Sequence, residues 1–132
     1  MVMDASAVVE LLLGNARGEA VADRMAADRD GHFEAPDLID VKVVQALRRL
    51  TRAGLMSAPR GSAAIDLLGR LPIERRPAAE LVPRMWALRE NLTAYDAAYV
   101  ALGETLACPL LTCDADIGSA PGHGARVIVV SD

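Results

Sequence analysis

Apolar residues recur along this chain in two rhythms. Short runs such as Val2-Met3, Leu110-Leu111 and Val127-Ile128-Val129-Val130 have the length of buried strands, while the stretches between them repeat apolar positions every three or four residues, as a helix with one inward face does. Val2-Met3 leads into a helix over 5–13 that Asp4 or Ser6 caps and Gly14-Asn15 stops. A second helix over 18–27 carries Val21, Met25 and Ala26 on one side and ends at Asp28-Arg29-Asp30-Gly31. Residues 32–35 form a second strand, and Pro36 opens a long helix running to residue 52 and stopped by Gly54. Ser57 caps a fourth helix over 57–68, with Pro59 in its first turn. The third strand, 72–75, is an edge strand because Pro is tolerated there, and a fifth helix spans 77–90, with Pro83 near its true start or at a kink. A helix over 93–106, a fourth strand over 110–112, one helical turn over 115–119 and a β-branched fifth strand over 126–130 complete the order. Strands separated by helices imply right-handed crossovers, hence an α/β fold with a central parallel five-stranded sheet flanked by helices on both faces.

The 132 residues make one domain, 1–132, which buries roughly two thirds of its unfolded surface in a single core. The 52% hydrophobic content is broken into runs far short of the ~20 residues of a membrane span. Met1-Val2-Met3-Asp4 lacks the basic and long apolar regions of a signal peptide, so a cytoplasmic protein with no membrane partner is expected. Cys108 and Cys113 fit neither a CxxC pair nor a disulfide framework and read as reduced thiols. The net charge of −4 argues against a protein that grips nucleic acid by a broad basic face. It leaves room for a nuclease, because bound metal supplies the positive charge that meets a phosphate. The local basic groups are Arg48, Arg49, Arg52, Arg75, Arg76, Arg84 and Arg89, and most arginines of this kind belong to solvated helix faces.

Three acids share one setting. Asp96 stands near the start of an almost uncharged helix, where it completes a capping box with Thr93 and favours the positive end of the helix dipole. Asp4 and Asp114 each follow a short apolar run and precede a helix-like segment. In an open parallel sheet the carboxyl ends of the strands face one crevice, so such acids converge although they lie far apart in sequence. Met3-Asp4-Ala5-Ser6-Ala7, Leu92-Thr93-Ala94-Tyr95-Asp96-Ala97-Ala98-Tyr99 and Leu111-Thr112-Cys113-Asp114-Ala115-Asp116 resemble the signature segments of PIN-domain ribonucleases of the VapC toxin family, in order, spacing and chain length.

That resemblance implies a toxin of a type II toxin–antitoxin pair: an endoribonuclease dependent on Mg²⁺, with Mn²⁺ as the alternative, that cleaves structured RNA such as tRNA. Magnesium takes oxygen ligands in near-octahedral geometry and keeps several waters, so a few dispersed carboxylates suffice. Asp4, Asp96 and Asp114 take the catalytic and metal-binding roles, and Asp116 a further metal-binding role, directly or through water. Ser6 and Thr112 are candidates to orient the carboxylates by hydrogen bonds, beside their ordinary uses as helix cap and strand-end hydroxyl. One position departs from the pattern: Lys42 stands where the family carries a glutamate. On a regular helix Asp40 lies ~200° around from Lys42 and cannot supply the missing carboxylate. Lys42 is expected to border the metal position, to pair with Asp4, Asp96 or Asp114, and to impair cleavage. The rival reading is a catalytically dead domain that still dimerises and binds its antitoxin.

The resemblance also implies a homodimer and a cognate VapB-type antitoxin. Trp86, with Met85, Leu88 and Leu92 at helical spacing, reads as core, although the family pairs through helices in this part of the fold. The helices over 18–27 and 57–68 are candidate antitoxin-facing surfaces. Other chemistry falls behind. His32 and His123 have no partner at metal-ligand spacing, and Gly122-His123-Gly124 is a turn rather than a phosphate loop. A haloacid-dehalogenase-type phosphatase wants an acid where Ser6 stands, and a receiver domain wants a phosphoacceptor Asp where Glu74-Arg75-Arg76 stands.

Overall fold

The computed structural model describes residues 1–131. Val2–Met3 (β1), Phe33–Pro36 (β2), Ile73–Arg76 (β3), Leu110–Thr112 (β4) and Val127–Val129 (β5) form one sheet in the order β3-β2-β1-β4-β5, with every pairing parallel. The first and fourth strands are neighbours in the register Val2↔Leu110 and Met3↔Leu111. β3 is an edge strand, as its proline led the sequence to predict. These four paired residues are wholly buried, so the centre of the sheet is the centre of the core. The helices are Ala5–Leu13 (α1), Ala16–Ala27 (α2), Ile39–Arg52 (α3), Ala58–Leu68 (α4), Val82–Ala87 (α5), Ala94–Leu106 (α6) and Ala115–Ser119 (α7). The chain steps from β1 to β2 to β3 through α1 to α4, then returns across the sheet to β4 through α5 and α6. Right-handed crossovers therefore set the two helix groups on opposite faces. Among the described residues no helix is long and apolar enough to cross a membrane.

Local signals account for most boundaries. Asp4 rather than Ser6 caps α1, accepting from the Ala7 N–H, while Ser57 caps α4, Thr93 caps α6 and Asp114 caps α7. Gly14 ends α1 in the left-handed conformation at φ 65°, which costs glycine little. Ala97 to Gly103 of α6 are all buried, which explains why this helix is almost without charge after its first turn. Gly18 marks the closest approach of α1 and α2: a Cβ there would lie 2.0 Å from the Glu10 carbonyl oxygen.

Elsewhere the structure corrects the sequence reading. The second helix starts at Ala16 because Asn15 caps it, accepting from the Gly18 N–H. Pro36 does not open the third helix. It extends β2 opposite Arg76, the Asp37 N–H donates to the Arg76 carbonyl, and α3 begins only at Ile39. The segment 77–90 splits into a 3₁₀ turn, Ala78–Leu81, and the short α5, with Pro83 in its first turn, where the missing N–H costs nothing. Trp86 is not core: it is 69% exposed, and Val82 nearby is 54% exposed, whereas Leu88 is buried.

Candidate active site

The β1–α1 and β4–α7 corners meet because β1 and β4 are neighbours, and beyond them the strand order runs in opposite directions. That is the switch point at which α/β sheets leave a crevice at their carboxyl edge. A cavity of about 720 Å³ opens there, lined by Asp4, Asp96, Asp114, Lys42 and the Tyr99 ring among others. Three helices present stripes to it. Ser6, Val9, Glu10 and Leu13 come from α1, Lys42, Gln45, Ala46, Arg49 and Leu50 from α3, and Asp96 and Tyr99 from α6. Each set follows the three- and four-residue spacing of a helix face.

Asp4 is the most constrained of the acids. It is 3% exposed, and its Oδ1 accepts from the Ser6 hydroxyl at 2.7 Å and the Ala7 N–H at 2.9 Å, while its Oδ2 accepts from the Thr112 hydroxyl at 2.5 Å. The two hydroxyls also tie the corners together. Ser6 Oγ accepts from the Cys113 N–H at 2.9 Å, and Thr112 Oγ1 from the Asp114 N–H at 2.9 Å. Burial pushes the Asp4 carboxyl above its ordinary range, the bonds from Thr112, Ala7 and Ser6 pull it back, and the charge of Asp96 raises it again. Asp96 is raised as well, by burial first and then by Asp114, with Thr93 and Lys42 opposing. The Tyr99 phenol is pushed far up by burial and by Asp4, so it stays protonated.

The predicted residues divide. Asp4, Asp96 and Asp114 reach one cavity from three separate parts of the chain, and Ser6 lines it beside them while Thr112 is wholly buried behind Asp4. Asp116 stands outside the lining, exposed on α7, where its N–H donates to Asp114 Oδ1 at 2.9 Å and its charge contributes to raising Asp96. The ion pair expected of Lys42 is absent among the described residues. Its ammonium lies 4.4 Å from the centroid of the Tyr95 ring, so it borders the acids but rests on an aromatic face, a partner that demands less desolvation than a buried carboxylate. Asp40 points elsewhere and holds Arg75 through two hydrogen bonds of 2.8 and 3.2 Å. Glu10, Gln45 and Tyr99 join the lining without having been singled out in the sequence, and Arg49 does so from among the basic residues named there. Helical spacing from Ser6, Lys42 and Asp96 is the signal that could have found them.

The donor set suits a hard divalent cation in kind, since the acids offer only oxygen. Among the described residues no three acidic, histidine or cysteine side chains are gathered closely enough to hold one ion. Like-charged carboxylates repel, and a cation drawing them together removes that cost.

Comparison with known proteins follows from this geometry. Residues 1–122 match the PIN domain family. The chain is 37% identical over 131 residues to ribonuclease VapC12 of Mycobacterium tuberculosis, covering 99% of each. It is 39% identical over 130 residues to ribonuclease VapC1 of the same organism, covering 98% of this chain and 96% of that one. Among solved structures, Mycobacterium tuberculosis VapC20, described as a sarcin–ricin loop cleaving toxin, superposes with a TM-score of 0.66 at 16% identity over 89% of this chain and 92% of that one. A Pyrobaculum aerophilum protein does so with a TM-score of 0.62 at 22% identity over 88% and 81%. At those identities the two structures speak to the fold alone.

Proposed function

The chain belongs to the PIN-domain ribonucleases of the VapC family, and from that premise we propose that it is the toxin of a toxin–antitoxin pair, a metal-dependent endoribonuclease whose activity is held down by Lys42. One observation carries the reading: three aspartates far apart in sequence line a single cavity at the carboxyl edge of β1 and β4. Asp4, Asp96 and Asp114 would hold Mg²⁺ or Mn²⁺. Such an ion, when bound, lowers the pKa of a water and neutralises charge on the phosphodiester. The chain's own residues position the site. Ser6, Thr112 and the Ala7 N–H fix both oxygens of Asp4, and the same two hydroxyls fix the backbone that carries Cys113 and Asp114. The Tyr99 phenol, protonated and 2% exposed, closes the inner wall without competing as an anion. Lys42 opposes the ion, since it puts a like charge beside the cavity where the family has a ligand.

The second reading, a domain that dimerises and binds antitoxin without cleaving, is favoured by that same Lys42. RNA cleavage with added Mg²⁺ or Mn²⁺, by this chain and by Lys42→Glu, separates the two. Cleavage appearing or rising steeply in Lys42→Glu supports the nuclease site, and no cleavage by either leaves the binding module. A VapB-type antitoxin and structured RNA, tRNA among its forms, are the partners this reading implies in the cytoplasm. The exposed Trp86 and Val82 on and beside α5 support a homodimer through that face.

A further inference from the structure

We infer that the cavity-facing stripe of α3 and the ring of Tyr95 form the rail on which an RNA strand lies, with Lys42, Gln45 and Arg49 meeting backbone phosphates and Tyr95 stacking an unpaired base. The inference rests on the nuclease reading and names what that reading leaves open, the side chains that hold substrate.

Lys42, Gln45 and Arg49 fall at i, i+3 and i+7 of one helix and all line the cavity, so they form a polar row that spans ~10.5 Å along the axis. The row is committed to no carboxylate. Among the described residues neither Lys42 nor Arg49 makes an ion pair, although Asp4, Asp96, Asp114 and Glu10 line the same cavity. Glu10 is instead taken by Arg17 and Asn15, and Asp40 by Arg75. In a chain of net charge −4, two unpaired cations on one stripe beside an acidic cluster are where a phosphate backbone gains most.

Tyr95 supplies the second half. The residue is 55% exposed in the first turn of α6, directly before Asp96, and the Lys42 ammonium lies over its ring at 4.4 Å from the centroid. An exposed aromatic face beside basic side chains can stack a base of single-stranded nucleic acid without sequence readout. A base inside an A-form duplex is stacked on its neighbours and cannot reach such a ring, so the strand must present an unpaired nucleotide beside Asp96.

The test is fluorescence anisotropy of a short labelled oligouridine, with metal chelated so that nothing is cleaved, compared with an A-form duplex of equal length. The protein is expected to prefer the single strand. Tyr95→Ala should weaken binding by roughly 5- to 150-fold while Tyr95→Phe retains it, as stacking requires. Arg49→Ala should weaken binding and lower the salt slope by about one, while Arg48→Ala, which removes the same charge from the next residue outside the cavity, should not. Binding of oligouridine unchanged by both Tyr95→Ala and Arg49→Ala overturns the rail and leaves the nuclease reading standing. An Arg48→Ala loss equal to that of Arg49→Ala overturns the placement on this stripe. Absence of binding to either RNA also overturns the rail, while the nuclease reading stands or falls on cleavage by Lys42→Glu with added Mg²⁺ or Mn²⁺.

Discussion

Thr112→Val removes one hydroxyl from a wholly buried position and leaves the shape of the side chain nearly unchanged. That hydroxyl donates to Oδ2 of Asp4 and accepts from the Asp114 N–H. A hydrogen bond to a charged group contributes about 1.5–3 kcal/mol, and leaving the Asp114 N–H without its acceptor adds about 1 kcal/mol, so the variant should lose about 2.5–4 kcal/mol at neutral pH. With an unfolding entropy of ~2.1 cal/mol/K per residue, a 132-residue chain should then melt roughly 9–14 °C lower. The loss should depend on pH in a defined sense. The Thr112 bond lowers the Asp4 pKa, so its removal raises a carboxyl that burial has already raised. A group whose folded pKa is raised stabilises the fold below its unfolded value and loses that contribution as pH climbs through the folded one. The gap between the two proteins should therefore be smallest in acid, where Asp4 is protonated in both and the unpaired Asp114 N–H remains, and widen toward neutral pH. Urea titrations at several pH values, with metal chelated, give the curves. A variant within about 0.5 kcal/mol of the parent at neutral pH, or a gap that narrows as pH rises, would refute the described link between the two corners. Calorimetric titration with Mn²⁺ adds a second reading, since loss of a group that orients a ligand should cost about 10- to 100-fold in affinity.

Lys42→Glu should confer metal-dependent RNA cleavage well above that of the present chain, and equal, metal-dependent activity in both would show that position 42 is not part of the site. Asp96→Asn should raise the melting temperature of the metal-free protein at neutral pH. Burial, Asp114 and Asp116 raise this carboxyl, so the native protein loses stability as pH climbs through its value and the variant does not, and parallel melting curves from acid to neutral pH would contradict this. Trp86→Glu should convert a homodimer to a monomer in sedimentation experiments at micromolar concentration, and a parent chain that already sediments as a monomer would remove the basis for pairing through α5.

What the sequence determined by itself lies mostly within one turn of the residue concerned. Asp4, Ser57 and Thr93 cap the helices that follow them, because a side-chain oxygen reaches an N–H two or three residues on whatever the rest of the chain does, and Asn15 and Asp114 prove to do the same although the sequence reading gave them no such role. The alternation of apolar runs with helical spacing likewise implied a parallel sheet, and the shared setting of Asp4, Asp96 and Asp114 implied their convergence at its carboxyl edge, which the pairing of β1 with β4 provides. Tertiary structure decided what depends on a distant partner. Pro36 stays extended because Arg76 pairs with it across the sheet, and Trp86 is exposed because nothing among the described residues covers α5 on that side, a fact that helical spacing cannot report. Lys42 is the sharpest case. Its position on the helix was legible, but its choice of the Tyr95 ring over three nearby carboxylates was not, because that choice balances desolvation against attraction over distances fixed only when α3 and α6 are packed at the end of the same sheet.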